Sequence, residues 1–388
     1  MIEEPATDVH YRTAEIFLFD TCTHKCAYCH FAETGKVLDA SQLQPYKDLA
    51  FVDGIAGFFS RRTSVREKWL LTLTGGEPLL MPNLPYFARA LAADRNKIAF
   101  YTAMLIGDNH PNMIFLLEEG ASITDYLMVS FHPEAEEIED RFFARIERLK
   151  QAGHSVIFRF VSHPARVHRL DELSQRCRDI DVAFYATPLF SPDYPAAYTE
   201  RQRSAVLGHA TTLSQFIMMG GGVDTRHTRC WAGSEIISVD VRTGDILPCI
   251  SVPGPVLGNI YEDRLDPFTL PITCPSAGIG CLCDVHFQQN IVNGAEDGDA
   301  FKRLKTGWNE PVRWKQFADR LQASQLRTTS AKPGIGQTST ADFLALRPDQ
   351  VKSAFEQNKT YLTGPHTERH HPEFRRRQNN HASEPHTS

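Results

Sequence analysis

Three cysteines near the N-terminus have a spacing suited to an iron–sulfur cluster. Cys22, Cys26 and Cys29 form a C-x3-C-x2-C pattern directly after an apolar, strand-like run. Three thiolates on one short loop bind three irons of a cubane cluster and leave the fourth iron open to a substrate, whereas a closed four-thiolate site has no room for one. The same pattern is also compatible with part of a zinc site or with buried thiols.

A glycine-rich motif, Gly75-Gly76-Glu77-Pro78, follows the next apolar run, Trp69 to Thr74. That run is β-prone and predicts a buried parallel strand. The two motifs are separated by about one strand–helix–strand unit. Glycine lets the backbone approach a ligand closely, and Glu77 offers an acceptor to an ammonium group.

With Tyr28 before its third cysteine, and with the glycine-rich motif downstream, the sequence resembles the radical S-adenosylmethionine (radical SAM) superfamily. The resemblance implies that Cys22, Cys26 and Cys29 hold a [4Fe-4S] cluster whose open iron chelates the methionine amine and carboxylate of SAM. An electron from the cluster then cleaves SAM to a 5′-deoxyadenosyl radical. The resemblance also places Tyr28 near adenine and Gly75 to Pro78 against the methionine amine.

Short apolar runs alternate with segments of helical periodicity, the clearest of which is Glu136 to Ala152. This alternation predicts an α/β fold with a parallel sheet and helices outside it. Periodicity does not separate an open sheet from a barrel, but the resemblance implies a partial (β/α)6 TIM-type barrel over residues 10–220. Reactive groups in such barrels lie at the C-terminal ends of strands. The predicted strands are Ala14 to Leu18, Trp69 to Thr74, Lys97 to Thr102, Asp125 to Ser130, Ser155 to Val161 and Val182 to Ala186.

Three further polar residues belong to these strands or their ends: Ser130, His132 and Arg159. The resemblance implies that Ser130 and Arg159 bind the ribose and carboxylate of SAM, with Arg159 facing the carboxylate. Side-chain alternation equally allows Arg159 to point outward or to form a structural ion pair. His132 is a candidate catalytic residue, and equally a helix cap or loop residue.

A second cysteine cluster follows the glycine linker at 220–222. Cys230 and Cys249 flank an alternating strand, a turn and a second strand, which predicts a β-hairpin with a cysteine at each outer end. The Cys230-x13-Gly244-x4-Cys249 spacing resembles the SPASM and twitch extensions of radical SAM enzymes. Four of the five late cysteines are then expected to hold one auxiliary iron–sulfur cluster, [4Fe-4S] in type, although the late C-x6-C-x-C pattern departs from the usual C-x2-C. The remaining late cysteines are Cys274, Cys281 and Cys283.

An auxiliary cluster accepts an electron as a substrate radical collapses, so the leading expectation is an oxidoreductase-type, oxidative modification by dehydrogenation or by carbon–carbon or carbon–heteroatom bond formation. Asp284 and His286 are candidate bases, or ordinary loop residues. One alternative is a redox-neutral epimerase in which the fifth late cysteine donates a hydrogen atom. Another is a zinc site at the late cysteines, and a third is a non-enzymatic scaffold with two structural metal sites.

The expected substrate is a small metabolite or natural-product scaffold ahead of a ribosomal peptide, since about 13 residues precede the first strand and leave no room for an N-terminal leader-binding extension. SAM and an external electron donor such as flavodoxin or ferredoxin are the other expected partners. A net charge of −6 without a basic stripe disfavours nucleic acid and membrane partners.

The absence of an apolar span or signal pattern predicts a cytoplasmic protein, and nine clustered cysteines indicate metal ligands in a reducing compartment. We expect four segments: a barrel over 10–220, a small hairpin-containing cluster-binding domain over 228–300, a helical segment over 301–327 and a disordered tail over 328–388. Truncation after Ser324 is expected to leave the chemistry intact.

Overall fold

The computed structural model describes residues 9–24, 26, 28–29, 38–189, 198–209, 229–230, 232–249, 255–269 and 272–273. Side chains at 229–230 and 272–273 are outside this description. Three of the late cysteines, the two candidate bases that follow them, the glycine linker, the 301–327 segment and the tail also lie outside the described residues.

Six parallel strands form the centre of the fold, in the order β1 to β6 across one sheet. A helix or a 3-10 turn with a helix connects each strand to the next, which is the alternation that the sequence predicts. All six predicted strands are present. Their bounds are β1 His10–Phe17, β2 Glu67–Thr74, β3 Lys97–Thr102, β4 Thr124–Phe131, β5 Val156–Val161 and β6 Ala183–Thr187.

The helices cover the outer face of this sheet, and 3-10 turns precede several of them. The predicted helix at 136–152 is a 3-10 turn, Pro133–Ile138, followed by α4. Among the described residues, no helix is long and apolar enough to cross a bilayer. The helices are α1 Leu49–Ser60, α2 Leu84–Ala92, α3 Pro111–Glu118, α4 Glu139–Gln151, α5 Leu170–Asp179 and α6 Glu200–Gly208.

Side-chain alternation along the strands gives the sheet two separate cores. The larger core lies between the outer face of the sheet and the helices, and includes Trp69, Phe100 and Phe158. The smaller core lies on the inner face and gathers side chains from β2 to β6, among them Tyr126 and Tyr185. A sheet that packs against helices on one face and encloses its own small core on the other is the predicted partial (β/α)6 barrel, so this prediction is confirmed.

The predicted C-terminal hairpin is present as β8 (Ile236–Asp240) and β9 (Asp245–Leu247). It does not stand apart from the barrel: β8 pairs in parallel with β1, from Thr13 opposite Ile236 to Phe17 opposite Asp240. The sheet continues from β9 through β10 (Gly258–Asn259) to β11 (Arg264–Leu265). The described part of the hairpin therefore extends the barrel sheet, which the sequence did not predict.

A separate two-stranded ladder joins β7 (Arg229–Cys230) to β12 (Ile272–Thr273). The strands are antiparallel, with Cys230 opposite Ile272. The chain segment that leads to Cys274 therefore begins beside Cys230.

Candidate functional site

A cavity of about 370 Å³ opens at the C-terminal ends of the parallel strands. This edge is where a (β/α) barrel assembles residues from several strands into one site. Arg159 and Asp20 are the charged groups among the described residues of its wall. The lining residues are Asp20, Cys22, His24, Cys26, Tyr28, Cys29, Thr74, Gly75, Gly76, Tyr101, Thr102, Ala103, Ser130, His132, Arg159, Val161, Thr187, Pro188 and Leu189.

The three N-terminal cysteines all line this cavity. The loop turns tightly at its end, where the Cys29 amide donates to the Cys26 carbonyl at 2.9 Å. Burial raises the pKa of Cys22 to about 11, and burial together with the Glu134 charge raises the pKa of Cys26 further. The Cys26 thiol donates to Glu134 Oε2 at 3.5 Å. The raised pKa values favour the protonated thiols of Cys22 and Cys26, so cluster binding at these two residues must release protons.

The glycine pair packs against the backbone that leads into the cysteine loop. Gly75 has a φ of +132°, and a Cβ there would lie 2.6 Å from the Phe19 carbonyl oxygen. The amide of Gly76 donates to the same Phe19 oxygen at 2.6 Å, and the amide of Glu77 donates to Thr21 O at 2.8 Å. The glycines therefore allow close approach of the chain to itself, and this approach fixes the position of the loop that starts at Cys22.

Glu77 lies beneath the cavity and does not line it, in contrast to the predicted role as an ammonium acceptor. Its carboxylate is fully buried. One oxygen accepts from Leu79 N–H at 2.9 Å and Thr102 Oγ1 at 2.6 Å, and the other accepts from Ala103 N–H at 2.8 Å. Burial raises its pKa, and these hydrogen bonds oppose the rise. Glu77 therefore ties the glycine motif to the end of β3, and the buried Pro78 opens the 3-10 turn that follows.

Tyr28 and His132 contact each other across the cavity wall. The Tyr28 hydroxyl and His132 Nδ1 are hydrogen bonded at 2.8 Å, and their ring centroids are 5.9 Å apart. Burial, with the nearby positive charges of Arg159 and Arg166, lowers the pKa of His132 to about 3. His132 is therefore neutral at pH 7 and is not a proton donor of the imidazolium kind. Its contact with Tyr28 joins the cysteine loop to the end of β4.

Ser130 and Arg159 lie side by side on β4 and β5, directly opposite each other in the ladder. Both line the cavity, so Arg159 points inward and not to the solvent. Its Nε donates to Thr187 Oγ1 on β6 at 2.7 Å. A guanidinium fixed at this rim suits a carboxylate ligand, because it presents several donors in one plane.

Asp20, a cavity residue that sequence reasoning missed, lies two positions before Cys22. It is buried, with 1% of its surface exposed. Its amide donates to Gln42 Oε1 at 2.9 Å, and its carboxylate forms an ion pair with Arg242 from the hairpin. No sequence signal marks this pair, since 222 positions separate the two residues.

Two cysteines of the second set, Cys230 and Cys249, are among the described residues. Cys230 ends β7, and Cys249 follows β9 and is half-buried. Cys230 therefore precedes the β8–β9 hairpin on a separate ladder, and Cys249 follows the hairpin. The rest of the predicted ligand set lies outside the described residues, and the auxiliary ligand set stays a prediction.

The residues present fit a cubane cluster at the N-terminal site, since three thiols share one cavity and no fourth cysteine is among its described lining. Across the described ranges, no three His, Cys, Asp or Glu side chains converge to hold a single metal ion. Each thiolate of a cubane binds a different iron, so a cubane does not need that convergence. The cysteine loop after β1 and the glycine motif after β2 meet at one barrel edge.

The fold is similar to those of solved structures at low sequence identity. Streptococcus suis SuiB matches with a TM-score of 0.42 and 16% identity, over 66% of this chain and 64% of SuiB. SuiB bound to S-adenosylmethionine matches with a TM-score of 0.43, 15% identity and the same coverage. Native anSMEcpe with bound AdoMet and Cp18Cys peptide matches with a TM-score of 0.46 and 13% identity, over 65% of this chain and 78% of that one. The chain therefore spans less than two thirds of the length of SuiB. No protein-family model matches the sequence.

Proposed function

We propose that this protein is a radical SAM enzyme that cleaves S-adenosylmethionine at the cavity above β1 to β6 and oxidatively modifies a substrate there. One observation carries the proposal: Cys22, Cys26 and Cys29 line the same cavity as the Gly75-Gly76 backbone. A zinc or thiol site accounts for the cysteines alone and gives no reason for a ligand-sized cavity beside them.

The cavity residues divide into groups by the chemistry that they offer. The three cysteines would hold a [4Fe-4S] cluster. Arg159 would bind the carboxylate of SAM, and Ser130 would donate to its ribose. The backbone of Gly75 and Gly76 would border the methionine amine.

When bound, such a cluster supplies the electron that cleaves SAM to a 5′-deoxyadenosyl radical, which removes a hydrogen atom from the substrate. The chain's own contribution is to hold the reactants together and to keep water out. Tyr28, half-buried against His132, forms an apolar wall, and its hydroxyl stays protonated because desolvation raises its pKa. Val161, Pro188 and Leu189 supply apolar lining on the β5 and β6 side.

The oxidative outcome depends on the second cysteine set, and this part of the proposal rests on Cys230, which precedes the hairpin on β7, and Cys249, which follows β9. An auxiliary cluster held there by four of the five late cysteines would accept the electron that the substrate radical loses. The proposed substrate is a small metabolite or natural-product scaffold, with a peptide as the alternative. An external reductant would supply the first electron.

The primary test is iron and sulfide per chain after anaerobic reconstitution, together with 5′-deoxyadenosine formed from SAM under reductant. The Cys22→Ala, Cys26→Ala, Cys29→Ala triple variant is compared with Cys177→Ala, which removes a buried thiol of α5 that does not line the cavity. We expect about eight irons in the wild type, about four in the triple variant and no loss in the control, with 5′-deoxyadenosine absent only from the triple variant. Equal iron and equal 5′-deoxyadenosine in all three proteins would overturn the proposal.

The redox outcome needs a separate test. Solvent deuterium in a product of unchanged oxidation state would overturn oxidative modification and favour the epimerase, with a late cysteine as hydrogen donor. A wild type with about four irons, nearly all lost in the triple variant, would make the late cysteines a zinc or thiol site.

A further inference from the structure

We infer that Arg242 is a positioning residue for the N-terminal cysteine loop: through its ion pair with Asp20, the C-terminal hairpin holds that loop in a cluster-binding conformation. This inference rests on the proposed function only for the identity of the group that the loop binds. The contact itself joins the tip of the β8–β9 hairpin to the segment immediately before Cys22.

Arg242 is fixed on its own side by the hairpin. Its Nε donates to Asp240 Oδ1 at 2.8 Å and its Nη2 donates to Asp240 Oδ2 at 2.6 Å, which is a bidentate pair. The guanidinium also lies 5.3 Å from the centroid of the Phe17 ring. Its remaining nitrogen, Nη1, donates to Asp20 Oδ1. Because the Arg242 side chain is held at several points, it has little conformational freedom. The position of the hairpin therefore restricts the position of the Asp20 carboxylate.

Asp20 connects Arg242 to the N-terminal cysteine loop. It lies between β1 and Cys22 with 1% of its surface exposed, and it lines the cavity. On one side of Asp20, the Phe19 carbonyl accepts from the Gly76 amide; on the other, the Thr21 carbonyl accepts from the Glu77 amide. Removing the arginine deprives a buried carboxylate of a cationic partner, and such a group draws in water. The hydrogen bonds on either side of Asp20 would then loosen.

A second arginine, Arg62, offers a matched control, because it also joins the core to the C-terminal extension but is not among the residues that line the cysteine cavity. Arg62, just after α1, donates to Asp263 Oδ1 and to the Asp263 carbonyl, both at 2.6 Å. Its guanidinium lies 3.8 Å from the Phe58 ring centroid. Arg62→Met therefore removes an arginine–aspartate pair and a ring contact of the same kind as Arg242→Met does.

The first readout is amide hydrogen exchange of the protein without cluster, followed at Asp20, Gly76 and Glu77. We expect Arg242→Met to speed exchange at these amides about tenfold, and Arg62→Met to leave them unchanged. An Asp20→Asn variant and the Asp20→Asn, Arg242→Met double variant complete a cycle, in which the double variant should exchange no faster than Arg242→Met alone. Equal exchange in Arg242→Met and Arg62→Met would overturn the inference, and so would additive effects of the two substitutions.

The second readout is the rate at which a chelator removes the iron that depends on Cys22, Cys26 and Cys29. We expect about tenfold faster loss from Arg242→Met than from the wild type or Arg62→Met. Loss at equal rates from all three would overturn the positioning role while leaving the proposed function intact. If the wild type binds no iron through these cysteines, the proposed function fails, and the exchange experiment still decides whether Arg242 holds the loop.

Discussion

The backbone of Gly76 lies against the carbonyl group of Thr21, so closely that a Cβ on Gly76 would fall 2.0 Å from the Thr21 oxygen. This distance is far shorter than any non-bonded contact. Gly76→Ala must therefore push the glycine motif away from the strand end that leads into the cysteine loop. We expect a stability loss of about 1–3 kcal/mol and a reconstituted protein with less than about half of the iron that depends on these cysteines.

Gly54 provides the matched control for this substitution. It lies on the exposed face of α1, where a Cβ would meet nothing within 4 Å beyond its chain neighbours and the backbone of its own helix. Alanine favours the helix over glycine, so Gly54→Ala should raise the unfolding free energy by about 0.5–1 kcal/mol and leave the iron content unchanged. If Gly76→Ala kept the stability and the iron content of the wild type, the prediction would be wrong, because the glycine motif could then move away from Thr21 without loss of free energy.

Glu77→Gln tests whether the buried carboxylate is structural. A glutamine amide has only one oxygen, so it cannot accept from both Leu79 and Ala103 as the carboxylate does. We expect a loss of about 1–3 kcal/mol in the unfolding free energy, measured by denaturant titration. Glu118→Gln, on the exposed side of α3, should change it by less than about 0.5 kcal/mol. Unchanged stability with selectively weaker SAM binding would instead support a role as the ammonium acceptor.

Arg159→Met tests the proposed carboxylate-binding role of Arg159. Loss of a charge-assisted hydrogen bond of about 1.5–3 kcal/mol predicts a Kd for SAM that rises about 10- to 150-fold, measured by equilibrium dialysis against the anaerobic, reconstituted protein. The control is Arg148→Met on α4, whose guanidinium is half-exposed and lies 4.0 Å from Asp108. An equal Kd for the two variants would rule out Arg159 as the carboxylate partner.

The ion pair between His10 and Glu235 predicts a pH-dependent stability. The hydrogen bond to Glu235 raises the pKa of His10; burial opposes the rise, the Glu67 charge adds to it and the Arg12 charge opposes it. Protonated His10 is thus favoured in the folded state. Its stabilisation is fully present below the unfolded pKa of about 6.5 and is lost as the pH rises through the higher folded value.

Glu235→Gln should therefore lower the Tm more at about pH 6 than at about pH 9. The comparison is Glu119→Gln, which breaks a surface pair with Arg89 at 2.7 Å. Arginine stays charged over this range, so the Tm deficit of Glu119→Gln should not depend on pH in the same way. A Glu235→Gln deficit of equal size at both pH values would show that His10 protonation does not contribute.

The strands were predictable because each one follows from a local pattern of apolar residues in the sequence. Lys97–Thr102 begins and ends where the apolar run does, and the other five differ by a few residues at their ends. The start of the helix predicted from Glu136 was less predictable, since Pro133 favours a 3-10 turn there before α4 begins at Glu139. The cysteine loop and the glycine motif were found because their spacing is distinctive.

The tertiary roles were not predictable in the same way. An acid in a glycine motif suggests ligand binding, whereas the buried hydrogen bonds of Glu77 depend on where β3 ends. Asp20 carries no motif, and its partner Arg242 is distant in sequence. The inward direction of Arg159 follows from its ladder position beside Ser130, which the sequence left open. Each of these facts depends on which strands become neighbours.

The parallel ladder between β1 and β8 has a consequence for how the chain is made. With β2 on one side and β8 on the other, β1 is an interior strand of the sheet, although it precedes every other described strand along the chain. Its second neighbour arrives only when the chain has been synthesised as far as Asp240. Non-local pairing of this kind is slow to form, so the cysteine-bearing end of β1 should be completed late in folding. In a nascent chain that has not been synthesised as far as Asp240, β1 would still be an edge strand of the sheet, and the cysteine loop would follow that edge strand.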